Sequence, residues 1–212
     1  MALMPAHEMQ ALAEARSHGH WFLGDIYLSR PDAAWITKLL QKLPADGETG
    51  EGLHALRSTL HAADPQQLAV EYTRLFRGIK AGYGPPPPYE SLYREGCLMG
   101  QVTIDVLKAY THAGYGQIDP AAGPQDHLGV ELKFMGLLCH DEARAWGKDD
   151  ALQAQRLQHM QTEFLDRHLL CWTPGYCQDI HKESYKDFYR HAATVTEQTL
   201  CEERELLTQL AV

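Results

Sequence analysis

Apolar residues along this chain recur at spacings of three and four, the period of helices that bury one face. Over Ala6 to Leu28 the positions Met9, Leu12, Ala13, Arg16, His20, Leu23 and Tyr27 follow that spacing, with Gly19 and Gly24 as weak points. Pro31-Asp32 opens a second helix through Trp35, Ile36, Leu39, Leu40 and Leu43, closed by Pro44 and Gly47, and Ala45 to Gly52 is a polar loop. A short helix over Leu53 to Ala62 follows. Asp64-Pro65 then supplies an N-cap and a proline at the first helical position for a helix through Leu68, Tyr72, Leu75 and Phe76.

The pattern breaks between Gly78 and Pro88, where three glycines and four consecutive prolines cannot continue a helix. A run of four prolines favours polyproline II geometry, which presents the residues after it in a fixed direction. Helical periodicity returns around Leu98 to Tyr110, and a Gly-rich turn fills Gly114 to Gly123. A strong helix spans Asp126 to Trp146, with Leu128, Leu132, Met135, Cys139 and Trp146 on one face. Two further long helices, Asp150 to Leu169 and Lys182 to Leu210, flank a break at Trp172-Thr173-Pro174-Gly175. No strand-like alternation competes and no repeat of 20 to 50 residues occurs. The fold class is therefore all-α, a single compact bundle of about seven to nine helices with a Pro-rich hinge loop. The organisation expected is one domain over 1–212, with an N-terminal layer 1–77, the loop 78–88 and a C-terminal bundle 89–212. A stiff hinge of this kind permits a monomer or a domain-swapped dimer.

Composition narrows the function. A chain of 212 residues with 44% hydrophobic content buries a real core, and its net charge of -9 argues against a surface that tracks nucleic-acid phosphates. Met1 to Gln10 lacks the basic and apolar regions of a secretory leader, and no apolar run reaches the roughly 20 residues of a membrane span. Five scattered cysteines fit a reducing compartment, so the expected location is the cytoplasm.

The candidates for chemistry are few. The chain has no nucleophile elbow, no phosphate loop and no His-Glu-x-x-His zinc helix. His140-Asp141 would suit the metal dyad of an HD-type helical phosphohydrolase, but one such dipeptide arises readily by chance in a chain with 12 histidines. His168, Cys171, Cys177 and His181 have zinc-ligand chemistry, yet five residues separate the cysteines and their neighbours Leu169, Leu170 and Trp172 suit a core. No cofactor is expected.

Two constellations suit binding. Pro85, Pro86, Pro87 and Pro88 lead directly into Tyr89, Glu90, Ser91, Leu92 and Tyr93, placing rings and a carboxylate after a rigid run. Either this loop recognises a partner or its tyrosines plug the bundle. Asp126 and His127 begin a helix, with Asp126 as its cap and Glu131 placed one turn on to hold the His127 imidazole and favour its charged form.

The wording of four ordered segments adds to this. Tyr72-Thr73-Arg74-Leu75-Phe76-Arg77-Gly78, Pro-Pro-Pro-Pro-Tyr-Glu-Ser-Leu-Tyr at 85–93, Asp126-His127-Leu128-Gly129-Val130-Glu131-Leu132-Lys133-Phe134-Met135 and His168-Leu169-Leu170-Cys171-Trp172-Thr173-Pro174 together resemble the TorD/DmsD family of redox-enzyme maturation chaperones. The resemblance implies a cytoplasmic, non-enzymatic protein. Such a protein binds the twin-arginine signal peptide and the body of a molybdoenzyme catalytic subunit, and holds it back from export until its cofactor is inserted. It carries peptide contact onto Pro86, Pro87, Pro88, Tyr89, Glu90, Ser91, Tyr93, Asp126, His127 and Glu131. This chain departs from the family pattern in placing Gln125 between Pro124 and the Asp-His pair, and it offers tyrosines at 83, 89 and 93 where some relatives have tryptophan. The acidic groups Glu90, Asp126 and Glu131 beside Tyr89 and Leu92 would then face a basic, partly apolar leader.

Overall fold

The computed structural model describes residues 4–43, 50–78 and 82–211. Among these the chain forms α1 (Ala6–Leu28), α2 (Ala33–Lys42), α3 (Glu51–His61), α4 (Pro65–Phe76), α5 (Glu90–Glu95), α6 (Gln101–His112), α7 (Leu128–Trp146), α8 (Ala151–Phe164), α9 (Leu170–Glu183) and α10 (Asp187–Leu210), with no strand. A π-helical turn, Leu165–Leu169, joins α8 to α9 without interruption, so the ten segments make nine separate helices, as an all-α bundle requires. None of them is long and apolar enough to cross a membrane. Pro44, Gly47, the polar loop up to residue 49 and residues 79–81 of the Pro-rich segment lie outside the described residues.

The caps read from sequence form locally. Asp32 accepts from the Trp35 N–H at 2.7 Å, and Asp64 accepts from the Gln67 N–H at 2.7 Å with Pro65 at the first helical position. Each such cap satisfies an orphan backbone donor and stabilises its helix by about 1 kcal/mol.

One corrected element is the expected break at Trp172-Thr173-Pro174-Gly175. The helix runs through it and ends only at Ser184. Pro174 withdraws the N–H that the Leu170 carbonyl would receive, but the chain has already changed register in the π turn, where the Leu170 N–H reaches back five residues to the Leu165 carbonyl. The Thr173 hydroxyl donates to the Leu169 carbonyl, filling a further acceptor beside the proline. The break falls instead at Ser184 to Lys186, so the helix expected over Lys182 to Leu210 begins only at Asp187, and α5 is added, which the proline run hides because it starts immediately after Pro88 and Tyr89.

α7 is buried nearly all round, and its most extensive contact is with α1. The two backbones touch through small residues. A Cβ added at Gly24 would lie 2.9 Å from the Gly129 carbonyl oxygen, and one at Gly129 would lie 2.6 Å from Leu28 Cγ. Further along, the Ser17 hydroxyl donates to the Gly136 carbonyl at 2.8 Å. Gly24, a weak point for helix propensity, is therefore the residue that permits this crossing.

A single apolar core runs from Phe22 to Leu207 and draws on residues before and after the Pro-rich loop. Its large members are tyrosines whose hydroxyls are mostly satisfied: Tyr27 with Thr196 at 2.8 Å, Tyr72 to the Tyr27 carbonyl at 3.0 Å, and Tyr189 to the Leu68 carbonyl at 2.9 Å. Where α1, α7, α8 and α10 meet, the core turns polar. Arg16 donates to Glu142 at 2.8 Å and to Glu203 at 3.0 Å, and Glu142 also accepts from Gln158 and Gln161. Burial alone would raise the Glu203 pKa, but the His20 ring and the Arg16 guanidinium outweigh it and hold the carboxyl down to about 2.

The close crossing sets a stability test. Gly129→Ala should lower stability by about 1–3 kcal/mol, the usual range for overpacking, despite alanine's better helix propensity. Gly19→Ala, whose Cβ meets nothing within 4 Å, should raise it by roughly 0.5–1 kcal/mol. Urea midpoints at constant slope measure both.

Candidate functional site

The Pro-rich loop and the start of α7 lie side by side. The Glu90 N–H donates to the Asp126 carbonyl at 2.9 Å and the Leu128 N–H to the Pro88 carbonyl at 2.8 Å, so Tyr89 and His127 form an isolated antiparallel bridge. Two segments some 35 residues apart in sequence thus join through main-chain bonds that any side chains would permit. Asp126 completes the joint: its carboxylate accepts from the Ser91 N–H at 2.9 Å.

Asp126 was expected to cap its own helix and instead caps α5. The cap of α7 is His127, whose Nδ1 accepts from the Gly129 N–H at 3.1 Å. Nor does Glu131 hold that imidazole. Burial, reinforced by the nearby Arg77 and Lys133 cations, pushes the His127 pKa down to about 3, so the ring is neutral and its Nδ1 is free to accept. The edge of Tyr89 stacks against it with ring centroids 5.0 Å apart.

Glu131 faces inward to a second group. It accepts from the Trp172 indole N–H at 3.3 Å, and Glu90 contacts His168 Nδ1 at 3.0 Å while also accepting from Arg94. Burial and then the adjacent Glu90 raise the Glu131 pKa well above the carboxylate range, so Glu131 keeps its proton. Trp172 belongs to the last of the four sequence segments, and Tyr93 packs on it at 5.4 Å while donating to Asp179 at 3.1 Å. Segments three and four are thereby tied to segment two by buried polar contacts.

Burial decides what each candidate residue can touch. Glu90, Ser91, Asp126, His127 and Glu131 are buried, as is Pro88. The expected exposed acidic surface of Glu90, Asp126 and Glu131 is thus an interior scaffold, because their oxygens and the main-chain groups they satisfy are closed off together. Pro86 is exposed, Pro87, Tyr89 and Tyr93 are partly so, and Tyr83 stands 55% exposed beside them. The accessible part of the site is proline and aromatic.

Two residues outside the ten expected to contact the peptide matter here. Gln125 is 2% exposed and its amide spans the 114–123 turn, donating to the Asp119 and Gly123 carbonyls and accepting from the Ile118 N–H. A proline side chain at this position would offer none of these bonds. Arg94, four residues after Glu90, links the scaffold to a neighbouring groove of about 640 Å³ between α6 and the α8 to π-turn stretch. The floor includes Val102, Ala109, Phe134, Met160 and Phe164, and Asp105, Glu163 and Asp166 stand along it. The i, i+4 spacing of Glu90 and Arg94 was a visible signal for that pair; the groove had none.

The metal arrangements considered from sequence do not assemble among the described residues. His168 is engaged with Glu90, Cys171 is exposed and Cys177 buried, and these do not converge with His181. His140 is exposed, and neither it nor Asp141 belongs to a group of converging ligand atoms. Asp141 instead accepts from the Tyr115 hydroxyl.

The neutral His127 cap gives a pH signature. An unfolded imidazole takes up a proton near pH 6.5 and the folded one only near 3, so the folded state holds fewer protons across that window. Its contribution is fully present above about pH 6.5 and is lost as the pH falls toward 3. In His127→Asn, which retains a cap acceptor, the slope of unfolding free energy against pH between 6 and 4 should be shallower by up to about 1.4 kcal/mol per pH unit. An unchanged slope would show that the wild-type imidazole is charged in the folded protein.

Residues 43–178 match the family model described as nitrate reductase delta subunit. Similar proteins over nearly the whole chain include chaperone protein TorD of Vibrio cholerae serotype O1 (strain M66-2), 24% identical with 96% of each chain covered. Chaperone protein TorD of Aeromonas salmonicida (strain A449) is 27% identical with 80% of each covered. A solved structure described as a redox enzyme maturation protein from Archaeoglobus fulgidus superposes with a TM-score of 0.52 at 22% identity, covering 90% of this chain and 93% of that one, which shows a shared fold. With well over half of its length matched, and with three of the four ordered segments tied into one buried joint, the chain belongs to the nitrate reductase delta subunit family, to which the TorD-type redox-enzyme maturation chaperones belong.

Proposed function

We propose that this protein is a cytoplasmic, non-enzymatic chaperone that binds the twin-arginine signal peptide of a molybdopterin oxidoreductase subunit and assists its maturation before export. The observation that carries this reading is the adjacency of a rigid proline and tyrosine loop to an apolar groove with carboxylates along it, coupled through the Arg94, Glu90 and His168 contacts. A twin-arginine leader joins a basic pair to an apolar stretch, and the two chemistries are complementary.

In this arrangement the ten residues carried over from the family resemblance divide by task. Pro86, Pro87, Tyr89 and Tyr93 contact the peptide. Pro88, Glu90, Ser91, Asp126, His127 and Glu131 hold that loop in place against α7. The apolar stretch of the leader lies on Val102, Ala109 and Met160, and its arginines face Asp105, Glu163 and Asp166. These carboxylates have cations of their own, Lys108, Arg167 and Arg204, which the incoming arginines would displace. Such exposed pairs are worth at most about 1 kcal/mol each, so exchange is easy.

Titration calorimetry with a molybdoenzyme leader peptide should show micromolar or tighter binding. Glu163→Lys combined with Asp166→Lys should weaken it roughly tenfold, about 1.4 kcal/mol, with helicity unchanged. Absence of heat with the folded wild-type protein would sink the proposal. Full affinity in the double variant would move the arginines elsewhere.

A further inference from the structure

We infer that His20, Cys139 and Glu203 form a buried site for one divalent metal ion of borderline softness, best matched by zinc. The three come from α1, α7 and α10, and their ligand atoms all lie within 4.8 Å of one another. His20 Nε2 is 3.6 Å and Cys139 Sγ 3.8 Å from the same Glu203 oxygen. In a tetrahedral zinc site, with ligand bonds near 2.0 Å to nitrogen or oxygen and 2.3 Å to sulfur, such atoms stand about 3.3–3.6 Å apart. Small side-chain shifts close the difference.

A second observation points the same way. His20 is 1% exposed, yet neither of its ring nitrogens has a hydrogen-bond partner. Around it Arg16, Glu142, Gln158, Gln161 and Glu203 are all hydrogen-bonded, so the imidazole is the one unsatisfied side chain in an otherwise closed network. A buried polar ring without a partner is costly, and a ring nitrogen 3.6 Å from a carboxylate oxygen, with a thiol within 4.8 Å, is what a metal ion would use.

Charge agrees. One guanidinium, Arg16, faces two carboxylates, Glu142 and Glu203, leaving one negative charge in excess. A dication bound with Cys139 as thiolate brings the group to neutrality. Arg16 shares Glu203 with the incoming ion but keeps its 2.8 Å contact with Glu142. Its other partner, the Gln161 carbonyl oxygen, lies 3.7 Å from Cys139 Sγ and is available as a fourth donor. One nitrogen, one sulfur and one carboxylate suit zinc, whereas calcium and magnesium require oxygen ligands. Bound there, the ion would clamp α10 to the α1 and α7 pair.

Cobalt(II), a spectroscopic stand-in for zinc, tests the site. Because Cys97, Cys171 and Cys201 are exposed, the parent for the test carries serine at all three. Because the site is enclosed, the parent is unfolded in denaturant and refolded with cobalt. The expected result is one equivalent bound, with a thiolate-to-cobalt charge-transfer band in the near ultraviolet, visible bands of tetrahedral intensity, and a raised melting temperature. Cys139→Ala should lose the charge-transfer band, and His20→Gln should bind at least tenfold more weakly. Folded parent without the band overturns the inference, as does a band that persists in Cys139→Ala. Should the alanine variant not fold, undiminished affinity in His20→Gln overturns it equally.

Discussion

The close approach of α1 to α7 is the constraint on which the rest of this molecule depends. Gly24 and Gly129 remove the side chains that would hold the two backbones apart, and Ser17 bonds across the crossing to the Gly136 carbonyl. With α7 fixed in this way, its N-terminal end carries His127 and Glu131 into the joint with the Pro-rich loop. Its middle carries Cys139 and Glu142 into the polar centre beside Arg16 and His20. Both of these polar sites are thus set by one helix packing.

Buried charge has a consistent role in the candidate peptide site. Asp126 serves two donors of the neighbouring segment, Glu90 holds His168 and Arg94, and Glu131 stays protonated under Trp172. Each of these groups has a partner within the protein, although Asp126 Oδ1 and Glu131 Oε1 have none, and removing any one group is costly because its partner would be left unpaired. They are therefore suited to holding a recognition loop rather than to exchanging partners with a ligand. Exposed carboxylates along the groove, with weak and replaceable cation pairs, are suited to exchange.

Helix positions were largely legible because amphipathic period and capping chemistry are local: Asp32, Asp64 and Pro65 act within three residues of themselves. The exceptions have local causes too. Pro174 signals a break, but a π turn before it and the Thr173 hydroxyl let the helix continue. The proline run ending at Pro88 conceals α5, which begins two residues later. Arg16 and His20 appear on the apolar face of α1 as if misplaced. They are there because Glu142 and Glu203, which accept from Arg16 and, in the case of Glu203, stand 3.6 Å from the His20 ring, arrive from helices more than 120 residues away.

Sequence alone therefore determined the all-helical class, most helix bounds and, through four ordered segments, the family. Each of those rests on short-range periodicity or on wording that a linear chain displays in full. Only the tertiary structure decided that Asp126 caps α5 and not α7, that His127 is neutral, that Glu131 turns toward Trp172, and that Gln125 braces a turn. The physical reason is common to all four. A polar side chain chooses among the partners that folding brings within about 3 Å and among the charges that burial will tolerate, and neither is ordered along the chain.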